Sequence, residues 1–330
     1  MLILAKATLA LMIGFILSAF LGLIIIPQLK KLKARQNVSI FLKKEHSSKQ
    51  GVPTIGGLIF IIPTIIAILI LIGMDKIEFS WNLMIVLITF LLYGLLGFID
   101  DFLSIKRGDN VGLSEVQKLI GQVLIALIFF WLYVKAGNPM ELDITFLKFK
   151  IHFGWLYPFF ILFVLVATTN AVNLTDGLDG LAGGLSGIAF LAYGLISWGS
   201  IGILGYESIA VFCFVLVGSI LGFLLYNTHP AKVIMGDTGS LALGGALAAV
   251  AIVTRHELSL VIVAGVFVVE TLSAIIQRFV GRYWGKRVFL MAPLHHHFEK
   301  LGWDERDIVK LFWSIGLVLS MAAIIYGVWI

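Results

Sequence analysis

The sequence predicts an all-α protein that crosses a membrane many times, and three observations point that way. Charged residues make up 13% of the 330-residue chain and hydrophobic ones 60%. A soluble domain carries about 25% charged residues, so a water-soluble protein of this size could not cover its surface. The mean hydropathy is +1.03. Apolar stretches close to the ~20 residues that a helix needs to cross a bilayer recur along the whole chain. No hydrophilic stretch is longer than 28–53, so residues 1–330 form a single integral membrane domain.

Ten spans are expected. The first, 3–26, is too long for a cleaved signal and runs into a basic loop. The next, 54–72, follows Pro53, and 81–99 stops at the adjacent acids Asp100 and Asp101. After 115–134, residues 136–154 contain the alternating "ITFLKFKIHF", which predicts a small hairpin. Four further spans, 155–172, 180–198, 207–226 and the short, Gly-rich 239–253, precede 258–280, which carries Glu270, and 307–329 closes the series. Cys213, alone in an apolar run, excludes an internal disulfide framework and reads as a small buried hydrophobe.

Ten spans place alternate loops on opposite sides. Loops 28–53, 100–118, 173–180, 227–238 and 281–306 hold 16 of the 24 Lys and Arg, against six (Lys6, Lys76, Lys135, Lys148, Lys150, Arg255) on the other side. The positive-inside rule puts the basic set in the cytoplasm and both termini outside. The net charge of +5 thus reflects topology, and no nucleic-acid partner is expected.

Five polar clusters fall on that cytoplasmic face: "SSKQGVPTIGG", "IDDF", "TTNAVNLTDGLDG", "YNTHPAKVIMGDTGS" and "MAPLHHHFEK". Asp100 and Asp101 close a span at a helix C-terminus, where the backbone dipole favours cations. They are either solvated acids at a membrane exit or oxygen ligands for a hard divalent cation, Mg²⁺ above all. Asn170, Asn173, Asp176 and Asp179 recur every third residue, neighbours on one side of a helical turn. One of them would suffice to cap the next span. Gly177 and Gly180 between them allow a ligand close to the backbone.

Asp237 opens the eighth span, as a cap or as a metal-holding carboxylate beside N–H groups that face phosphate. Asn227 faces the same compartment. His295, His296 and His297 follow Pro293 in what reads as a loop, and three consecutive residues cannot share a helical face. Hydrogen bonds to phosphate, or a supporting role, suit them better than zinc, for which no cysteine or spacing speaks. Lys49 and Lys118, with Lys232, are the lysines an anionic substrate would use. Glu270 at membrane depth is either functional or packed against a polar partner.

Taken together, "PTIGG", "GFIDDF", "NAVNLTDGLDGLAGG", "NTHPAKVIMGDTGSLALGG" and "PLHHHFE", spread over residues 53–299, resemble the phospho-N-acetylmuramoyl-pentapeptide transferases. These belong to the superfamily of polyprenyl-phosphate N-acetylhexosamine-1-phosphate transferases. The "PLHHHFE" block resembles this branch rather than the sister branch that uses UDP-GlcNAc. The resemblance implies transfer of phospho-MurNAc-pentapeptide from UDP-MurNAc-pentapeptide to undecaprenyl phosphate, giving lipid I and UMP. It implies a Mg²⁺ requirement, a homodimer in the bacterial inner membrane, and nucleoside antibiotics as inhibitors. It maps Asp100, Asp101 and Asp237 onto the family's catalytic and metal-binding acids, with Asp237 foremost as metal ligand. Asn173, Asp176, Gly177, Leu178 and Asp179, with Lys49, Thr54, Lys118 and Asn227, map onto the substrate region. His295, His296 and His297 map onto the family's His motif, with His296 among the catalytic residues. Two positions depart from the family: Ile234 where Phe is common, and Ser104 where a Lys is frequent. A transporter is the alternative of another class, but transport sites lie near the bilayer midplane, whereas these clusters share one face.

Overall fold

The computed structural model describes residues 3–32, 51–108, 112–144, 149–199 and 206–329. Twelve α-helices and one pair of strands make up the described chain. Helix α1 (Ile3–Lys31) ends on Lys30 and Lys31, cations placed where a helix C-terminus favours them. Helix α2 (Leu58–Gly73) is followed by α3 (Trp81–Arg107), which Ser80 caps by accepting from the Leu83 N–H at 3.1 Å. Helix α4 (Glu115–Lys135) starts in a full capping box, in which Ser114 and Gln117 each accept from the other's backbone N–H.

Strands β1 (Glu141–Ile144) and β2 (Phe149–His152) pair antiparallel, Glu141 opposite His152. The connection between them lies outside the described residues. Then come α5 (Tyr157–Thr175), α6 (Leu181–Gly199), α7 (Tyr206–Asn227) and α8 (Gly236–Val253). Helices α9 (Glu257–Val263), α10 (Gly265–Trp284), α11 (Leu294–Lys300) and α12 (Glu305–Ile324) complete the order.

Eight of these helices are long and apolar enough to cross a membrane, or nine if the bent pair α9–α10 is one span. Two of the expected ten differ in form from a straight span of full length. The candidate 54–72 yields a helix of only 16 residues, about 24 Å long at 1.5 Å per residue. Its first residues are taken instead by a turn in which Gly56 and Gly57 donate to the carbonyls of Ile234 and Met235, both at 2.9 Å. The candidate 258–280 is broken at Ala264 and bends by 77°. A Cβ on Gly265 would meet the Leu319 side chain of α12 at 2.7 Å, so the break lies where α12 crowds the chain.

Lipid-facing and enclosed helices separate by burial. The apolar windows of α6, α7 and α8 are 83–89% buried, against 28% for α1. A helix that is apolar all round belongs inside the bundle, and α8 fits this, packed against α3 and α5. Close approach relies on small residues. Gly218 and Gly222 of α7 are spaced GxxxG, and Cβ atoms there would meet the Leu11 and Phe15 carbonyls of α1 at 2.0 and 2.8 Å. Gly97 does the same for α3 on α8, since its Cβ would meet the Asp237 carbonyl at 2.0 Å. That crossing positions the site.

Candidate active site

Asp100 and Asp101 do not end α3. The helix continues to Arg107 and is closed by Gly108 at φ 74°, so the two acids lie within it, and the helix dipole is not what decides their place. Their setting comes from α8. Gly236 takes φ 73°, which a residue with a side chain seldom adopts, and it turns the first N–H groups of α8 toward α3. Asp101 accepts from the Asp237 N–H (3.1 Å), the Thr238 N–H (2.9 Å) and the Thr238 hydroxyl (2.6 Å). It therefore caps α8 from another helix, using both oxygens. Its neighbour Asp100 turns elsewhere, accepting from the Leu113 N–H at 2.8 Å and lying 3.4 Å from Lys118 Nζ.

Asp237 is held by two donors. Asn173 Nδ2 donates to its Oδ1 at 2.8 Å and also to Ser240 Oγ at 2.8 Å, while Lys118 pairs with its Oδ2. One carboxylate oxygen from each of Asp100, Asp101 and Asp237 can be chosen so that all lie within 4.8 Å of one another. Three carboxylates against one ammonium leave a formal charge of −2, which a single divalent cation balances. An all-oxygen donor set of this kind suits Mg²⁺, so the residues present fit such an ion.

These groups open on a cavity of about 220 Å³ lined by Thr54, Asp100, Asp101, Ser104, Ile105, Asn173, Asp176, Ile234, Gly236 and Asp237. Both departures from the family, Ser104 and Ile234, face this space. Lys118 does not line it; it backs the carboxylates.

Of the remaining predicted residues, those that are described fall around the cavity rather than in it. Lys49 lies outside the described residues. Asn227 is buried and structural: its Oδ1 accepts from the Gly180 N–H at 3.1 Å and its Nδ2 donates to the Val233 carbonyl at 3.0 Å, tying two loops together. Leu178 is core. Asp179 turns away, its Oδ2 accepting from the Ala231 N–H at 3.0 Å and sitting 3.2 Å from His229 Nδ1, while its own N–H donates to Glu305 at 2.6 Å. The three histidines occupy a short helix, α11, not a loop, and their rings part company. His295 is fully buried against Glu270, His296 pairs with Glu299 at 2.5 Å, and His297 accepts from the Leu290 N–H at 3.1 Å. None of them lines the cavity.

Sequence reasoning overlooked Gly236 and Ile105, which line the cavity, and His229 and Glu305, which hold Asp179. Gly236 alone left a trace, as a Gly just ahead of a helix start. The others become visible only when distant segments meet.

A many-helix membrane protein that collects carboxylates, an amide and a lysine around one cavity resembles a transferase working at the membrane surface, and residues 83–255 match Glycosyl transferase family 4. The chain is 46% identical to the phospho-N-acetylmuramoyl-pentapeptide-transferase of Bacillus licheniformis, with 96% of each chain covered. It is 46% identical to that of Geobacillus thermodenitrificans (97% and 98% covered) and 44% identical to that of Bacillus subtilis (97% of each). The chain belongs to the phospho-N-acetylmuramoyl-pentapeptide-transferase family and is a multi-pass membrane transferase.

Proposed function

We propose that this enzyme moves phospho-MurNAc-pentapeptide from UDP-MurNAc-pentapeptide to undecaprenyl phosphate, forming lipid I and releasing UMP in peptidoglycan synthesis. The reaction takes place at the cytoplasmic face of the bacterial inner membrane, with Mg²⁺ as cofactor and the protein as a homodimer. The observation that carries this reading is the meeting of Asp100, Asp101 and Asp237 beside Asn173 and Lys118 at one polar cavity.

Donor and acceptor are both phosphate anions and repel each other. Phosphoryl transfer is mostly positioning and charge stabilisation. Asp237, with Asp100 and Asp101, would hold Mg²⁺, which supplies charge neutralisation for the diphosphate and the departing UMP. Asn173 orients Asp237, and Lys118 offsets the charge of Asp100 and Asp237. Because Asp101 accepts three hydrogen bonds from the start of α8, whereas Asp100 accepts from the Leu113 N–H and lies near Lys118, Asp100 is the acid we assign to the acceptor phosphate, orienting it or taking its proton. An acceptor oxygen then bonds to the sugar-linked phosphorus as the bond from that phosphorus to the bridging oxygen breaks, and UMP carries the bridging oxygen away. Ile234 offers the nucleoside an apolar wall without aromatic stacking, and nucleoside antibiotics are the expected inhibitors.

The test gives purified protein undecaprenyl phosphate, Mg²⁺ and either UDP-MurNAc-pentapeptide or UDP-GlcNAc, and follows UMP. Release with the first donor is expected. Release with UDP-GlcNAc alone would assign the chain the sister activity, and a phosphosugar-enzyme trapped from donor alone would replace direct transfer by a covalent route.

A further inference from the structure

Glu270 has no part in the reaction as described, yet it is fully buried and not left alone. His295, also fully buried, donates its backbone N–H to Glu270 Oε1 at 3.1 Å, and its Nδ1 lies 2.9 Å from Oε2. One carboxylate thus grips one residue by both backbone and ring. An ionised Glu270 accepts only, so a neutral ring facing it carries its proton on Nδ1 and its lone pair on Nε2. His295 Nε2 is buried with no hydrogen-bond partner among the described residues, and it lies over Gly177. A Cβ on Gly177 would meet Nε2 at 2.3 Å and Cε1 at 3.0 Å. The next residue back, Asp176, lines the cavity.

We propose that Glu270 is a positioning residue which, through His295, holds the 176–178 turn in the shape that receives the nucleotide end of the donor. Glu270 orients the imidazole and chooses its tautomer. The bare Nε2 then rests against Gly177, where an N–H would drive a hydrogen into the backbone. Gly177 is needed because the ring occupies the place of its side chain. On this account His295 acts from behind the pocket and touches no reacting atom. The inference rests on the proposed transferase activity.

The central variant is Glu270→Gln. Its carbonyl still accepts from the His295 N–H, but its amide donates to Nδ1 and moves the ring proton to Nε2, with almost no change in volume. Donor KM is expected to rise by about tenfold or more, the size of one hydrogen bond to a charged group, with kcat and the acceptor KM close to wild type. Glu270→Ala and Gly177→Ala should do the same. Adding His295→Ala to Gly177→Ala should bring donor KM to that of His295→Ala alone, because the ring that meets the new methyl group is gone. Nitrogen-15 NMR on ligand-free protein should show His295 protonated on Nδ1 in wild type and on Nε2 in Glu270→Gln.

A loss of kcat at unchanged donor KM, additive effects of the Gly177 and His295 changes, or an Nε2-protonated ring in wild type would each overturn the proposal. If wild-type protein releases UMP from neither donor, the transferase reading fails, whereas the tautomer still tests the Glu270–His295 coupling by itself.

Discussion

Gly236 and Asp101 show how much of the site depends on single atoms. At φ 73°, with Asp101 Oδ2 at 2.5 Å and Thr54 Oγ1 at 2.7 Å from any Cβ, Gly236 has neither the torsion nor the space for a methyl group. Gly236→Ala should cost at least about 1–2 kcal/mol from the left-handed torsion alone, read as a lower unfolding temperature in detergent together with lost UMP release. Asp101→Asn keeps one acceptor oxygen and puts an NH2 in place of the other, so either the Asp237 N–H or the Thr238 N–H loses its partner. A loss of about 1 kcal/mol, typical of a removed cap, should accompany the loss of activity. Asp237→Asn should abolish turnover without that instability, since Asp237 caps nothing among the described residues. The acids were legible as candidates because charged side chains at the end of an apolar run call for an explanation. Their division of labour was not, because Asp100 and Asp101 are chemically identical and only the position of α8 separates them.

The helices differ in how their ends are secured. Helix α12 is capped by Asp304, which accepts from the Arg306 N–H at 2.9 Å and from its Nε at 3.0 Å. These hydrogen bonds lower the Asp304 pKa from an ordinary 3.8 to about 2. A depressed carboxylate stabilises the fold fully above its unfolded value and loses that contribution as the pH falls through the folded one. Asp304→Ala should therefore lower the unfolding temperature at pH 6, and the difference from wild type should shrink between pH 4 and pH 2. At the strand pair, Glu141 meets Lys150 at 3.0 Å and Arg255 at 2.7 Å, and these hydrogen bonds hold its carboxyl below the usual range. The pair is thereby tied to the turn after α8. The existence and order of the helices could be read from apolar run length, but their ends could not. Helix α3 runs on past its acids because "FLSIKR" is itself compatible with helix, and the first residues of 54–72 leave the helix because the carbonyls of Ile234 and Met235 in another segment accept their N–H groups.

The molecule as a whole is an enclosed set, α6, α7 and α8, wrapped by helices that keep one side for lipid. The three clustered carboxylates sit where α3 crosses the start of α8. Gly97→Leu should push that crossing apart and disperse the three carboxylates. Electron paramagnetic resonance with Mn²⁺ as the probe should find one bound ion per wild-type chain and none in Gly97→Leu or Asp237→Asn. Retention of the ion in both variants would remove the metal assignment. The clusters named from sequence at 54, 100–101, 173–176 and 237 do share one end of the bundle, and so does Asn227. Asp179, Leu178 and the three histidines stand behind that surface and shape it.

Composition and run length were enough to make this a helical membrane protein, since a bilayer admits few structures and each needs a long apolar segment. The order of the polar blocks was enough to indicate the family; the end of an apolar run marked Asp100 and Asp101, and the start of the eighth span marked Asp237. Tertiary packing settled which carboxylate caps α8, which faces Lys118, which histidine is buried against Glu270, and that Asp179 points inward. Those outcomes depend on contacts between different helices and turns, 18 positions apart for Asp100 and Lys118 and 137 for Asp101 and Thr238, and periodicity along one chain carries no record of them.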